Sequence, residues 1–197
     1  MAWQSTCVML KRKNNRVVIG DTEDMRVRYF RPQDFEKVME IESEAFEEHN
    51  PFIYMNFYEM NNECFLVADY NGYVVGFVAG YQMSETEGRI FSLAVRHNYR
   101  GHGIGTRLLE AIMRVFRQKA IRYANLEVRL SNVRAQSLYR KMDFIPCWIE
   151  HGYYSDGEDG IIMKKVLSPH IRTGVSKVSR KPTRQTEWPA LKIRNNI

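Results

Sequence analysis

A mixed α/β fold, with helices packed on both faces of one sheet, is predicted by three features of this 197-residue chain. Strand-like runs and segments of helical period follow one another in the order β-α-α-β-β-β-α-β-α-β-β. Asn71-Gly72 joins two β-branched and aromatic runs, the strongest short-range hairpin signal. A strand also leads into a glycine-rich turn, Arg100 to Gly105, that opens directly onto a helix.

Each element has its own local reason. Alternation over 26–31 predicts a short strand. Pro32 and Asp34 then open a helix, since Pro and acids are favoured near helix starts. Phe35, Val38, Met39, Ile41, Ala45 and Phe46 recur at spacings of three and four, which gives that helix one apolar face. Pro51 begins a second, aromatic-rich helix to about residue 62. The hairpin strands cover 64–70 and 73–81, and a polar loop over 84–88 leads to a strand over 89–96. The helix after the glycine turn runs to about residue 119, with Leu108, Leu109, Ile112, Val115 and Phe116 on one side. A strand over 125–130, a short helix over 132–142 and strands over 144–151 and 160–166 complete the pattern. The last two strands flank an acidic turn over 155–160.

Length and composition favour one domain with extensions. Hydrophobic and charged fractions of 44% and 26% suit a protein that buries a core. No run approaches the roughly 20 apolar residues of a membrane span, and the N-terminus does not read as a signal peptide. The odd, widely spaced Cys7, Cys64 and Cys147 suggest neither a disulfide framework nor a zinc site, and a reducing cytoplasm is expected. Cys64 and Cys147 read as small buried residues in strands. The five histidines show no metal-ligand spacing, so no metal is expected. The net charge of +6 is carried by residues 168–197, where seven bases face only Glu187. The expected organisation is an extension over 1–24 with little order, a domain over 25–167, and a basic C-terminal tail over 168–197. Met25 is an alternative candidate start.

The stretch Ser92 to Thr106, SLAVRHNYRGHGIGT, carries the most information. Glycine permits positive φ and close approach of backbone to a ligand. A helix start offers unpaired N–H groups and a positive dipole end to phosphate oxygens, and Arg100 adds a cation. No Gly-Lys-Ser/Thr follows, which excludes a P-loop. Glycines at 101, 103 and 105 do not fit the G-x-G-x-x-G dinucleotide fingerprint.

The Arg-x-x-Gly-x-Gly pattern, Arg100 to Gly105 after an apolar strand, resembles the pyrophosphate-binding motif of the GCN5-related N-acetyltransferase (GNAT) family. Three further segments narrow the resemblance to RimI-type enzymes and the archaeal and eukaryotic N-terminal α-amino acetyltransferases. These are Leu126–Asn132 (LEVRLSN), Ser137–Phe144 (SLYRKMDF) and Gly152–Met163 (GYYSDGEDGIIM). The resemblance covers about 25–167 and implies a twisted, mostly antiparallel sheet of about seven strands. It implies acetyl-CoA, or coenzyme A, as cofactor. Leu93, Ala94 and Val95 would offer strand backbone to the pantetheine arm. Arg100, Gly101, His102, Gly103, Ile104, Gly105 and Thr106 would hold the pyrophosphate, and Asn132 and Tyr139 would also contact the cofactor. Glu127 stands where such enzymes carry a general base and Tyr139 where they carry the acid. Glu48, Tyr153 and Tyr154 would face the substrate. Asn50 departs from the archaeal pattern, in which an aromatic residue precedes the Pro.

The chemistry agrees with these types of residue. Acyl transfer needs a neutral amine, a donor to the carbonyl oxygen and a proton for the departing thiolate. An α-amine has a reference pKa near 8, well below the ~10.4 of lysine, so a carboxylate such as Glu127 suffices as base. Without a catalytic role, Glu127 would be a strand residue paired with Arg129 or solvent, and Tyr139 a half-buried core tyrosine. A backbone N–H near Val95 is the expected oxyanion donor. The aromatic cluster of Phe52, Tyr54, Met55, Phe57, Tyr58 and Met60 suits core packing or a wall for a peptide side chain. The expected reaction is acetylation of protein or peptide N-termini. Lysine or small-amine acetylation is the alternative within enzymes. A coenzyme A-binding module with an RNA- or ribosome-binding basic tail is the alternative outside them.

Overall fold

The computed structural model describes residues 25–46 and 51–167, together with short backbone pairings at 12–13, 16–17 and 194–196. Eleven principal elements follow the expected order. They are β1 (Met25–Tyr29), α1 (Phe35–Ala45), α2 (Pro51–Asn61), β2 (Phe65–Tyr70), β3 (Tyr73–Gln82) and β4 (Glu87–Val95), then α3 (Ile104–Gln118), β5 (Tyr123–Arg129), α4 (Val133–Lys141), β6 (Ile145–Glu150) and β7 (Gly160–Val166). The short pieces Arg12–Lys13 and Arg16–Val17 pair antiparallel with each other. A short strand, β8 (Arg194–Asn196), lies in the C-terminal tail.

Seven strands form one sheet in the order β1-β2-β3-β4-β5-β7-β6, and β8 pairs with β4 away from that path. Every neighbouring pair on the path is antiparallel except β4 and β5. Those two are joined by α3 and run parallel, as a helical crossover requires. The hairpin turn forms at Asn71-Gly72, where both residues have positive φ (50° and 83°), and the Asp69 carboxylate accepts the Gly72 N–H at 2.8 Å.

The sheet is sandwiched between two hydrophobic layers. α3 and α4 cover one face with Leu108, Ile112, Phe116, Ala135 and Tyr139 among the buried residues. α1 and α2 cover the other with Val38, Ile41, Tyr54 and Phe57. Of the aromatic cluster on α2, Tyr54 and Phe57 are core, whereas Phe52 and Met60 face solvent. α3 approaches the sheet closely at Gly80, where an added Cβ would stand 2.5 Å from Ile112 Cδ1 and 2.8 Å from the Arg89 carbonyl oxygen.

One irregularity shapes the centre of the sheet. Ala79 pairs with Ser92 but Gly80 pairs with Ile90, so Phe91 is an extra residue in β4. A bulge of this kind bends its strand. Beyond it, β4 leaves β5: the two pair only from Glu87/Tyr123 to Arg89/Asn125. The upper part of β4, Ser92 to Ala94, pairs in parallel with Arg194 to Asn196 of β8 instead.

The edge of the sheet corrects one expectation. Cys147 lies on β6, an outer strand whose residues are all exposed, and is not a core residue. Among the described residues β6 pairs only with β7, and none of its residues belongs to either hydrophobic layer. Cys64 is buried, though in a single 3-10 turn before β2 instead of in the strand, and burial pushes its thiol up to about 11.

A Gly80→Ala substitution should destabilise the domain by about 1–3 kcal/mol, since the new methyl meets backbone as well as side chain. Thermal unfolding of the variant against the parent checks it, and an unchanged midpoint would contradict this packing.

Candidate active site

The site is built where β4 and β5 part. Glu127 lies on β5 two residues beyond Asn125, the last position paired with β4, and is 5% exposed. Residues two apart on a strand share a face, so Glu127 points toward the same side as Arg89 on β4. Arg89 Nη2 stands 2.8 Å from Glu127 Oε1 and Arg89 Nε donates to Glu127 Oε2 at 3.1 Å. Arg89 Nη2 also donates to the Tyr153 hydroxyl at 2.9 Å. Burial pushes the Glu127 carboxyl up to about 7, against the opposing pull of Arg89.

The expected alternative partner of Glu127 was Arg129, and that pairing does not occur. Arg129 instead reaches Asp156 and Glu158 of the acidic turn, each at 2.7 Å from Nη1. Strand alternation does not separate these two arginines, because residues 127 and 129 share a face. The turn holds Arg129 through two carboxylates, and its guanidinium also lies 4.0 Å from the Tyr154 ring centroid.

Tyr139 and Tyr154 are both buried beside this carboxylate. Among the described residues neither hydroxyl has a hydrogen-bond partner, and both phenols are held protonated by burial. Asn125 Oδ1, on the Glu127 face of β5, is also buried without a partner among the described residues. Tyr153 is half-buried and packs edge-on against Tyr154 with ring centroids 5.1 Å apart. Glu48 lies outside the described residues.

The glycine turn lies at the C-terminal end of β4. Leu93, Ala94 and Val95 are buried, and Arg100 Nε donates to the Val95 carbonyl at 2.9 Å. Gly101 and Gly103 take φ of +85° and +75°, a region that L side chains adopt only with strain. Among the described residues nothing lies within 4 Å of a Cβ built on Gly103. His102 is exposed, with Nδ1 3.2 Å from the Tyr99 carbonyl oxygen. Ile104 and Gly105 form the buried first turn of α3 and Thr106 is half-buried there. No side chain caps that helix start, so its first N–H groups remain open to an anion.

Asn132 and Arg134 stand at the start of α4. Asn132 caps α4, its Oδ1 accepting the Ala135 N–H at 3.0 Å. Arg134, in the first turn of α4, was missed. Its guanidinium is the nearest neighbour of a Cβ on Gly101, at 3.9 Å, and it also presses on the charge of Arg100. Only the fold brings residues 101 and 134 together, so no local pattern flags it. Two cations and an uncapped helix start thus converge above backbone that leaves room for a ligand. This arrangement fits a pyrophosphate.

A parted strand pair ending in such a cradle, with a buried carboxylate at its vertex, leaves a place for an extended, phosphorylated ligand. The profile of the "Acetyltransferase (GNAT) family" matches residues 34–144, and the chain belongs to that family. It is an acetyl-CoA-dependent N-acetyltransferase. It is similar to an uncharacterized N-acetyltransferase of Methanocaldococcus jannaschii, with 41% identity over 72% of this chain and 91% of the relative. It is 31% identical to the N-alpha-acetyltransferase of Sulfurisphaera tokodaii, over 74% of this chain and 95% of that one. The crystal structure of Ard1 from Thermoplasma volcanium superposes with a TM-score of 0.71 at 30% identity, covering 74% of this chain and 99% of that one.

Gly103→Ala should leave the fold in place but weaken coenzyme A binding, since the methyl strains the left-handed turn by roughly 1–2 kcal/mol. Calorimetric titration with coenzyme A reads this directly, and unaltered affinity would mean that the turn does not hold the ligand.

Proposed function

We propose that this enzyme acetylates the α-amino group of protein or peptide N-termini, and that residues 25–167 are its catalytic domain. The observation that carries the proposal is Glu127, a buried carboxylate poised near neutrality where β4 and β5 separate. A base of that strength is matched to an amine of pKa near 8 better than to a lysine near 10.4. The named activity of the Sulfurisphaera relative supports the α-amine. So does a ribosomal-protein-S18-alanine N-acetyltransferase from Escherichia coli, whose structure superposes at a TM-score of 0.66 with 25% identity.

Bound acetyl-CoA would supply the thioester carbonyl that the amine attacks. Gly101, His102, Gly103, Ile104, Gly105 and Thr106 would hold its pyrophosphate by backbone N–H groups, with Arg100 and Arg134 supplying charge. Leu93, Ala94 and Val95 would contribute the strand edge, with the Val95 N–H as oxyanion donor. Asn132 would contact the cofactor from the start of α4. Glu127 takes the proton that the attacking nitrogen loses, directly or through a water. Tyr139 Oη, held protonated, gives a proton to the departing sulfur. Tyr153 and Tyr154 form the wall toward the peptide, joined by Glu48 from the segment before α2.

A second role is favoured by the seven bases of residues 168–197: contact with RNA or the ribosome, which would bring the enzyme to nascent chains. We place the reaction in the cytoplasm. Among the described residues no helix is long and apolar enough to cross a membrane.

With acetyl-CoA and short peptides that carry either a free or a blocked α-amine, product should form only on free α-amines. Glu127→Gln and Tyr139→Phe should each lower kcat by about 10²–10⁴-fold. Mass spectrometry of the products decides it: acetate on lysines alone would move the assignment to side-chain acetylation. A chain ending at Leu167 should lose any salt-sensitive RNA shift. It should also bind coenzyme A more tightly, because β8 pairs with the Ser92–Ala94 edge assigned to the pantetheine arm. Equal affinities of the two chains would show that this edge is not contested.

A further inference from the structure

We propose that Arg89 is a positioning residue for acetyl transfer: from β4 it clamps the Glu127 carboxylate where the strands part and holds Tyr153 beside it. One side chain thereby sets both the base and the wall that faces the peptide. This rests on the reading of Glu127 as the base.

The guanidinium is engaged on several sides. It meets both carboxylate oxygens of Glu127, at 2.8 and 3.1 Å, and the Tyr153 hydroxyl at 2.9 Å. Tyr81 of β3 also hydrogen-bonds it. Three elements other than its own strand are therefore tied to one planar group whose donors lie in fixed directions. The side chain of Arg89 is only 19% exposed and that of Glu127 only 6%, so water screens this contact little.

The clamp has a chemical reason. Glu127 is faced by Arg89 from β4, Tyr81 from β3, Tyr139 from α4 and Tyr154 from the loop before β7. Among the described residues Arg89 is the cation in this group, and the others are phenols. Burial favours the protonated acid, which cannot accept a proton, and the guanidinium opposes that tendency. Geometry matters equally. A carboxylate held through two oxygens keeps one orientation, and the Tyr153 link places the peptide wall relative to it. A lysine would bring the same charge but as a single point, without the planar fork that spans carboxylate and phenol together.

The test uses the full chain free of coenzyme A, labelled with ¹³C at glutamate carboxyls, with the Glu127 signal identified by its loss in Glu127→Gln. The parent signal should titrate near neutrality. In Arg89→Gln the titration midpoint should rise by about 1–3 on the pH scale, as expected for loss of an adjacent opposite charge. The acid limb of kcat at saturating peptide should move with it. At a pH well below the parental midpoint, kcat should fall about tenfold for a rise of one in that midpoint and about a hundredfold for a rise of two, and alkaline buffer should recover it. Arg89→Lys should keep the midpoint close to the parent value while kcat falls, because charge is retained and the bridge to Tyr153 is not. A folded Arg89→Gln protein whose Glu127 titrates as in the parent would overturn the proposal. Should Arg89→Gln not fold, Arg89→Lys decides: parental kcat would overturn the positioning role, and a lowered kcat at parental midpoint would support it. Full turnover by Glu127→Gln would instead remove Glu127 as the base, a failure of the functional reading that the carboxylate titration reports separately.

Discussion

The departure of β4 from β5 is the constraint on which the rest of the molecule depends. A parallel pair in the middle of a sheet normally bonds along its whole length, and opening it exposes backbone donors and acceptors in the interior. Here the extra residue at Phe91 bends β4 after only three paired positions. The opening is held from both sides. Tyr54 of α2 reaches Ser92 just past the bulge, with 3.2 Å between the two hydroxyl oxygens, and α3 packs against the opposite face through Leu108 and Ile112. At the vertex stand Arg89 and Glu127. Removing two charges from water costs several kcal/mol per ion, and their attraction compensates only when the contact is close and both partners are hydrogen-bonded. The two-point contact at 2.8 and 3.1 Å meets that condition.

The same opening explains why the glycine turn is where it is. β4 delivers the chain to Val95 and α3 begins at Ile104, so the connection must reverse direction within a few residues. Two left-handed glycines and a 3-10 turn over His97–Tyr99 accomplish this, and the uncapped start of α3 is left facing the mouth of the parted strands. α4, which follows β5, brings Arg134 to the same mouth from the other side. Strand opening, turn and the two helix starts are thus consequences of one β-α-β-α passage, which also carries both the short motif and the distant carboxylate.

What was legible in the sequence was what local rules determine. The Asn71-Gly72 hairpin, the amphipathic faces of α1 and α3 and the glycine turn were all placed to within a few residues, because turn chemistry and periodicity act over short spans. Strand starts were less exact: β4 begins at Glu87 and β5 at Tyr123, each two residues earlier than polarity suggested. Polar residues there satisfy their backbone by pairing with each other across the two strands. The partner of Glu127 was not legible, since Arg89 is 38 residues away and becomes its neighbour only through strand register. Arg134 escaped for the same reason. Cys147 misled because a strand-like run says nothing about whether its strand is central or at the edge.

The pattern of unmet polar atoms points to the same place by an independent route. Buried polar groups almost always find partners, and each one left without costs about 1–3 kcal/mol. Among the described residues four side-chain atoms are buried and unpartnered: Arg96 Nε, Asn125 Oδ1, Tyr139 Oη and Tyr154 Oη. Asn125 stands on β5 two residues before Glu127, and Tyr139 on α4 and Tyr154 in the loop before β7 are both near enough to feel its charge. A core built for stability alone would carry Phe in place of Tyr139, which packs against Phe144 and needs no hydroxyl for that contact. Among the described residues its phenol finds no partner, so its cost in stability is not offset by packing within the domain.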